Sequence, residues 1–186
     1  QALSDASDVA QLKAIVSRHP DRARAVSGHY AGVTPTFTSD LAAIAADTTI
    51  QMVMVATPPS VRHSVIEPLA RAGKHVLLEK PVGRTVQEAE EIVGICEKAG
   101  VTLGILLQHR MRAPSIAAAD LIAKGNLGLL GLVEINLPLW RDQSYYDELG
   151  RGSYARDGGG VMLTNAIHSI DLALSLSGPV TRVQAM

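Results

Sequence analysis

Several features that would point to a compartment or a ligand are absent from this sequence, or nearly so. Cysteine occurs once, as Cys96, which cannot form an internal disulfide, so a reducing, cytoplasmic compartment is expected, with packing as the role of the thiol. The 17 lysines and arginines nearly cancel the 18 aspartates and glutamates, so no charge excess favours nucleic acid or an anionic membrane. No apolar run reaches the length of a membrane span. A small neutral ligand is therefore the favoured partner.

Two more absences concern export and phosphate binding. Residues 1–5 form neither the basic n-region nor the apolar h-region of a secretory signal. The glycine-rich loop G-x-G-x-x-G, which cradles the phosphates of a dinucleotide, occurs nowhere in the 186 residues. At this length the chain can bury one good core, or one domain and part of a second.

The residues that are present alternate between short apolar runs and helical patterns. Strands are predicted over residues 11–16, 50–56, 74–78 and 101–107. Helices are predicted over residues 21–29 and 39–46, from Ser60 onward, and from Val86 to Gly100. This alternation is typical of parallel βαβ units, and it predicts an α/β fold with a doubly wound parallel sheet.

Three helix starts are predicted from capping residues. Ser39 and Ser60 are each placed to accept a hydrogen bond from the first turn of a helix. Thr85 and Glu88 form a capping box, in which each side chain accepts from a backbone N–H of the other residue. The helix that follows has its apolar residues on one stripe: Val86, Ala89, Ile92, Val93 and Cys96.

The regular alternation of short strands and helices ends before His109, and we place a domain boundary after this residue. The expected domains are residues 1–109 and residues 110–186. Pro114 is well placed in the first turn of a helix that ends near Lys124.

The rest of the second domain is predicted to contain one strand, one loop and one helix. The strand covers residues 131–137, with three residues on one face: Val133, Ile135 and Leu137. A loop rich in tyrosine and arginine follows over residues 140–157. Three glycines then lead into a helix over residues 165–177.

The stretch over residues 73–81 is the centre of the functional prediction. Its apolar run reads as a buried parallel strand, with Glu79 and Lys80 at the carboxyl end, where open α/β sheets bind ligands. Pro81 favours an extended Lys80, so the backbone aims this side chain. The alternative is a solvated lysine in a strand-to-helix loop.

Three motifs occur in order: residues 56–59, residues 73–81, and the stretch of residues 158–171 that begins with three glycines. Together they resemble the glucose–fructose oxidoreductase, inositol dehydrogenase and rhizopine-catabolism (Gfo/Idh/MocA) family, over essentially the whole chain. The resemblance implies a Rossmann-like nucleotide-binding domain, then an α+β substrate domain that often builds a dimer, so a homo-oligomer is expected. The family also has a first strand with a glycine-rich loop, which this chain lacks, and continues beyond Met186. An internal fragment is therefore expected, with loss of cofactor binding by the fragment as the alternative.

The family resemblance and the sheet geometry together imply a dinucleotide site. Ser17 and Arg18 end the second strand of the family fold, where a neutral side chain and an arginine favour the 2′-phosphate of NADP, with NAD as the alternative. The expected cofactor-binding residues are Ser17, Arg18, Ala56, Thr57, Pro58, Glu79 and Lys80. Where many relatives have a histidine five positions after the threonine, this chain has Arg62.

The resemblance also implies a division of catalytic roles. Lys80 holds the developing alkoxide, with Glu79 as its orienting partner, and His168 exchanges the hydroxyl proton. Thr164, His168 and Asp171 share one helix face and can converge on one cleft, although many relatives have aspartate in place of Thr164.

The expected substrate is a sugar, a cyclic polyol or a related cyclic diol, bound by Arg110, Tyr146 and Thr164, with no metal. Aromatic faces suit the C–H face of such a ring, and arginine suits its hydroxyls. The predicted function is an NAD(P)-dependent dehydrogenase acting on CH–OH groups. The alternatives are a non-catalytic sensor on the same scaffold, a glycosidase that uses transient oxidation, and an inert fragment.

Overall fold

The structure is a computed structural model that describes residues 5–26 and 32–185. Its strands are β1 (Ala14–Val16), β2 (Thr36–Thr38), β3 (Met52–Val55), β4 (His75–Glu79) and β5 (Leu103–Leu106). Its α-helices are α1 (Pro20–Val26), α2 (Leu41–Ala46), α3 (Arg62–Arg71), α4 (Val86–Lys98), α5 (Ala113–Ala123), α6 (Gln143–Tyr146), α7 (Tyr154–Asp157) and α8 (Ile167–Ser177). Two 3₁₀ turns, Pro59–Val61 and Gln108–Met111, and a π-helical turn, Met162–Ala166, complete these elements. The last three residues of the helix predicted over 21–29 lie outside the described residues.

Every pairing between these strands is parallel, which confirms the predicted α/β class. β1 pairs with β2, and β3, β4 and β5 form a second sheet in that order. Val76 lies opposite both Val53 and Leu103, so β4 is the central strand of the three. Parallel strands end at the same edge of a sheet, and the carboxyl ends of β3, β4 and β5 therefore meet where the functional residues were predicted.

The hydrophobic core lies under this three-stranded sheet. Helix α3 packs against the sheet and against α4, and α4 adds Ile92 and Cys96 to the same core. The core consists of Val55, Ile66, Ala70, Val76, Leu78, Ile92 and Cys96. Cys96 is a free, buried thiol in the core, as predicted, and burial raises its pKa. Val86 and Val93 were wrongly predicted on the buried stripe: they are 76% and 38% exposed, and the buried residues of α4 are Ile92 and Cys96.

Two of the predicted caps are wrong, and one is half right. Asp40, not Ser39, caps α2, since its carboxylate accepts from the Ala43 backbone N–H at 2.9 Å. Ser60 lies inside a 3₁₀ turn, so its backbone cannot take the extended conformation of an N-cap. Thr85 does cap α4, but the Glu88 carboxylate accepts from the Arg84 backbone N–H instead of closing the box on Thr85.

The strand predicted over residues 131–137 is also wrong. The segment is not assigned as strand and is largely exposed. A strand is stabilised by hydrogen bonds to a neighbour, and the described residues supply none for this one. Its apolar side chains are therefore exposed, apart from that of Leu137, which is half-buried.

Helix boundaries in the second half follow glycine and proline closely. Pro114 lies in the first turn of α5, as predicted, and the helix ends just before Gly125, whose φ is +72°. Gly178, with φ +90°, ends α8. Among the described residues, no helix is both long and apolar enough to cross a bilayer.

The two halves of the chain meet beside the end of β4. The Arg84 guanidinium donates to the Ala155 carbonyl at 2.6 Å. A Cβ on Gly158 would lie 2.5 Å from the Arg84 Cα, so only glycine permits this close approach. The contact places the turn before α8 directly against the loop that follows Lys80.

Candidate active site

Lys80 follows β4 at the carboxyl edge of the sheet, as predicted, and its side chain is half-buried. Its Nζ donates to the backbone carbonyl of Thr164, in the other half of the chain. No carboxylate of the described residues forms an ion pair with it. Glu79, the predicted orienting partner, instead lies near the buried Arg62, whose positive charge it helps to stabilise. Lys80 is therefore oriented by a neutral acceptor, the Thr164 carbonyl, and not by a carboxylate.

Thr164 belongs to the π-helical turn that precedes α8. Its hydroxyl donates to the Gly160 carbonyl at 3.0 Å and accepts from the Asn165 side-chain amide at 3.0 Å. A π turn widens the helix locally, and such turns are frequent at functional sites. Here the turn is the segment whose Thr164 carbonyl meets the Lys80 ammonium, one helical turn before His168.

Lys80 and His168 line the same cavity, of about 280 Å³, although they are far apart in the sequence. Its other lining residues are His109, Leu137, Leu139, Thr164, Asn165 and Ser169. The two leucines make one wall apolar, while the remaining side chains are polar or ionisable. A small apolar cavity with a few convergent polar groups is the usual form of a small-molecule site.

His168 is almost fully buried, with 8% of its surface exposed. Its Nδ1 atom is buried and has no hydrogen-bond partner among the described residues. Burial, reinforced by the charges of Lys80, His109 and Arg112, lowers the pKa of this imidazole below its ordinary value of 6.5. His168 is thus neutral at neutral pH, and a neutral imidazole can accept a proton.

His109 is a cavity residue that the sequence prediction missed. Its ring stacks on the His168 ring, with the centroids 4.7 Å apart and the planes at 28°. Burial and the charge of Arg112 lower its pKa as well. The only signal in the sequence was its position directly beyond the carboxyl end of β5, where we had placed a domain boundary.

Two predicted substrate-binding residues do not line the cavity. The Arg110 guanidinium forms a two-pronged ion pair with Asp171 on α8, with Nε donating to Oδ2 at 2.7 Å. Tyr146 is exposed in α6, with its ring edge-on to Tyr145. Asp171, which shares its helix with His168, thus fastens the Gln108–Met111 turn to that helix.

The end of β3 shows a second residue that the prediction left out. Arg62 is only 2% exposed, and its guanidinium donates to the Thr57 carbonyl at 3.0 Å and to the Lys80 carbonyl at 3.4 Å. Burial lowers its pKa to about 10. The Arg62 side chain therefore joins the carboxyl ends of β3 and β4. The sequence shows its position five residues after Thr57, but it does not show that the side chain is buried.

The predicted cofactor residues lie at the carboxyl ends of the parallel strands. Ser17 and Arg18 follow β1, and the Ser17 hydroxyl accepts from the His19 backbone N–H at 3.1 Å. Thr57 and Pro58 follow β3, close to the end of β4. The Thr57 hydroxyl and the Arg62 Nη1 are buried without partners among the described residues. Unsatisfied polar atoms at this edge fit a polar ligand such as a dinucleotide.

The described residues give no sign of a metal centre. No three His, Cys, Asp or Glu side chains of residues 5–26 and 32–185 converge in a way that could hold a metal ion. The positive charges that act on His168 include those of Lys80 and Arg112.

Comparison with known families gives two matches. Residues 1–106 match the model described as an oxidoreductase family with an NAD-binding Rossmann fold. Residues 116–186 match the GFO/IDH/MocA C-terminal domain. The domain boundary that we place after residue 109 stays a prediction.

Individual relatives agree with these matches. An uncharacterized oxidoreductase of Schizosaccharomyces pombe, C115.03, is 32% identical over 79% of this chain and 39% of its own length. D-apiose dehydrogenase of Paraburkholderia graminis is 28% identical over 96% of this chain and 46% of its own length. The solved WlbA dehydrogenase of Bordetella pertussis, in complex with NADH and UDP-GlcNAcA, superposes with a TM-score of 0.83 at 30% identity, covering 96% of this chain and 51% of that one. The chain thus spans about half the length of these proteins or less.

Proposed function

The chain belongs to the Gfo/Idh/MocA oxidoreductase family, and on that premise we propose that its cleft is the active site of an NADP-dependent dehydrogenase. The reaction interconverts a secondary alcohol and a ketone on a sugar, a cyclic polyol or a related cyclic diol. The observation that carries the proposal is the shared cavity of Lys80 and His168. A cation and a neutral base beside one another are what alcohol oxidation requires of the protein.

Lys80 holds the substrate oxygen as negative charge develops on it. Its ammonium has three N–H donors, of which the Thr164 carbonyl uses one, so two remain for substrate. Because no carboxylate neutralises this ammonium within the described residues, its charge acts on the reacting oxygen in full.

His168 exchanges the hydroxyl proton of the substrate. A neutral imidazole is needed for oxidation, and burial together with the Lys80 charge keeps His168 in that form at neutral pH. The nicotinamide, when bound, supplies or accepts the hydride. Thr57, Pro58 and Glu79 at the strand ends would hold it at the edge of the sheet.

Relatives support the substrate class. D-apiose dehydrogenase is named for a sugar, and WlbA was solved with a sugar nucleotide. In this chain the apolar wall of Leu137 and Leu139 opposes the polar residues of the cavity, which suits a ring with C–H faces and hydroxyl edges. Arg110, Tyr146 and Thr164 remain the proposed substrate contacts, and Thr164 is the one that lines the cavity.

NADP is preferred over NAD because of the residues after β1. Arg18 is exposed and forms no ion pair with any described residue, so it is available to a 2′-phosphate. Replacing Arg18 with alanine is expected to raise the KM for NADP roughly tenfold or more, with little change for NAD, since one charge-assisted contact is lost. An equal rise in the KM for NADP and for NAD would contradict the proposed preference for NADP.

The function is tested by following reduced-cofactor absorbance in the full-length protein over a panel of inositols, sugars, nucleotide sugars and cyclic diols. We expect turnover on at least one class, and a kcat loss of roughly a hundredfold or more in Lys80→Ala. Lys124→Ala, at an exposed lysine paired with Asp120, is the matched control and should be unchanged. No turnover on the whole panel, or full activity of Lys80→Ala, would overturn the proposal. A cytoplasmic location and a homo-oligomeric assembly remain proposals too.

A further inference from the structure

The catalytic imidazole proposed above lacks the partner that usually orients such a group. A buried histidine base is commonly fixed by a carboxylate that accepts from its second nitrogen. In this chain the Nδ1 of His168 has no partner among the described residues. The nearest carboxylate along its helix, Asp171, is occupied by Arg110. Thr164, one turn before His168, offers a hydroxyl that is already bonded to the Gly160 carbonyl.

Among the described residues, the His168 ring stacks on the ring of His109. The two rings lie face to face, 4.7 Å between centroids, and both line the cavity. We propose that His109 is a positioning residue, whose ring fixes the plane of His168 and shields it from water in place of a carboxylate partner. This inference rests on the proposed function, since it assumes that His168 exchanges the proton.

The stack is held in place by the ion pair next to it. His109 and Arg110 are neighbours in the Gln108–Met111 turn, and His168 and Asp171 lie one helical turn apart on α8. The two-pronged Arg110–Asp171 pair therefore fastens the turn to the helix at one point, and the two rings meet beside it. Two contacts, one ionic and one between rings, leave little freedom to rotate either element.

The charges that face His168 agree with this role. Lys80 from the end of β4, and His109 and Arg112 from the turn after β5, all disfavour a protonated His168, while Asp171 on its own helix favours it. Arg110 is neutralised by Asp171. On α5, which packs against α8, Asp120 and Lys124 pair with each other at the surface. The net effect, after burial, is a lowered His168 pKa.

The test compares two substitutions that separate ring from charge. His109→Phe keeps a flat ring over His168 but cannot be protonated, whereas His109→Leu removes the ring and admits water. His63→Leu is the matched control, since His63 is an exposed histidine that pairs with Glu67 on α3. Two quantities are measured in the full-length protein: the pH dependence of kcat/KM with NADP, and the imidazole titration of His168 by NMR.

We expect His109→Leu to lower kcat/KM roughly tenfold at neutral pH, through kcat more than KM, because the base loses its orientation. Its His168 titration should move up toward 6.5, as burial and one repelling group are both lost. The acid side of the pH profile should move up with it. His109→Phe should keep kcat within about threefold, with a smaller upward shift. His63→Leu should change neither quantity.

Two outcomes would overturn the inference. One is a His168 titration that is the same in His109→Leu as in the unaltered protein. The other is a loss of activity in His109→Phe as large as in His109→Leu, which would make the nitrogen atoms essential and the ring incidental. If no alcohol is oxidised at all, the proposed function fails, yet the NMR titration still decides whether His109 controls the His168 ring.

Discussion

The two halves of this chain hold their functional residues by different means. The buried hydrophobic side chains of the described residues lie between Ile44 and Cys96, most of them in the core that the three-stranded sheet forms with α3 and α4. In the described part of the second half, the side chain that is buried is that of His168. Many leucines there are exposed, with Leu129 at 100%. Lys80 therefore follows a strand of a packed sheet, while His168 is held by the ring of His109 and by the Arg110–Asp171 ion pair beside it.

The two halves are joined beside the end of β4. The Arg84–Ala155 hydrogen bond, the close approach of Gly158 and the Lys80–Thr164 hydrogen bond all run from the loop after β4 to the segment before α8. The loop after β4 in the first half thus contacts the second half through two hydrogen bonds and one close backbone approach. The cavity is therefore formed by residues of both halves of the chain.

The largest expected effect compares two leucines. Leu78→Ala should lower the free energy of unfolding by about 2 to 5 kcal/mol, because a fully buried side chain of the sheet core is removed. Leu129→Ala, at a fully exposed position of the second half, should change it by less than about 0.5 kcal/mol. Urea unfolding of the full-length protein measures both. A comparable loss in the two variants would show that Leu129 is covered in the full-length protein.

The next effect concerns the buried arginine of α3. Arg62→Met should destabilise the protein by about 1 to 3 kcal/mol, because the carbonyls of Thr57 and Lys80 lose a charged donor. We also expect kcat to fall, since a shift of the Lys80 backbone would displace its ammonium from the substrate oxygen. Arg71→Met on the same helix is the control, because its ion pair with Glu67 is at the surface. Thermal unfolding and kcat that are unaltered in Arg62→Met would show that the strand ends need no such tie.

The smallest effect concerns helix caps in the first half of the chain. Thr85→Ala should cost about 1 kcal/mol, since Thr85 accepts from the Glu88 backbone N–H at the start of α4. Ser60→Ala should cost almost nothing, because Ser60 is exposed and caps no helix. Chemical denaturation distinguishes the two. A larger loss for Ser60→Ala would mean that the turn before α3 depends on that hydroxyl.

The sequence was most informative where periodic patterns and local motifs coincide. The alternation of strands and helices followed from apolar spacing, and the place of Lys80 followed from the rule that parallel strands bind ligands at their carboxyl ends. The helix that contains His168 was predicted from the glycines before it and after it. These features depend on residues close together in the chain.

The features that the sequence did not predict depend on partners far away in the chain. Residues 131–137 have a strand pattern but no neighbouring strand among the described residues, so the pattern alone was misleading. His109 acquires its role from a ring on α8, and Arg62 from two carbonyls on different strands. Arg110 was expected to face substrate, yet a carboxylate on α8 holds it. Long-range pairing of this kind leaves no local pattern.

The most direct test of the account is a double-mutant cycle on Lys80 and His168, measured as NADP reduction by the full-length protein with an alcohol substrate. Each single variant, Lys80→Met and His168→Asn, is expected to lower kcat roughly a hundredfold or more. The double variant should be little slower than the worse of the two, because both side chains act on one hydroxyl group as a unit. Fully additive losses, or a single variant that turns over at the original rate, would contradict a shared active site.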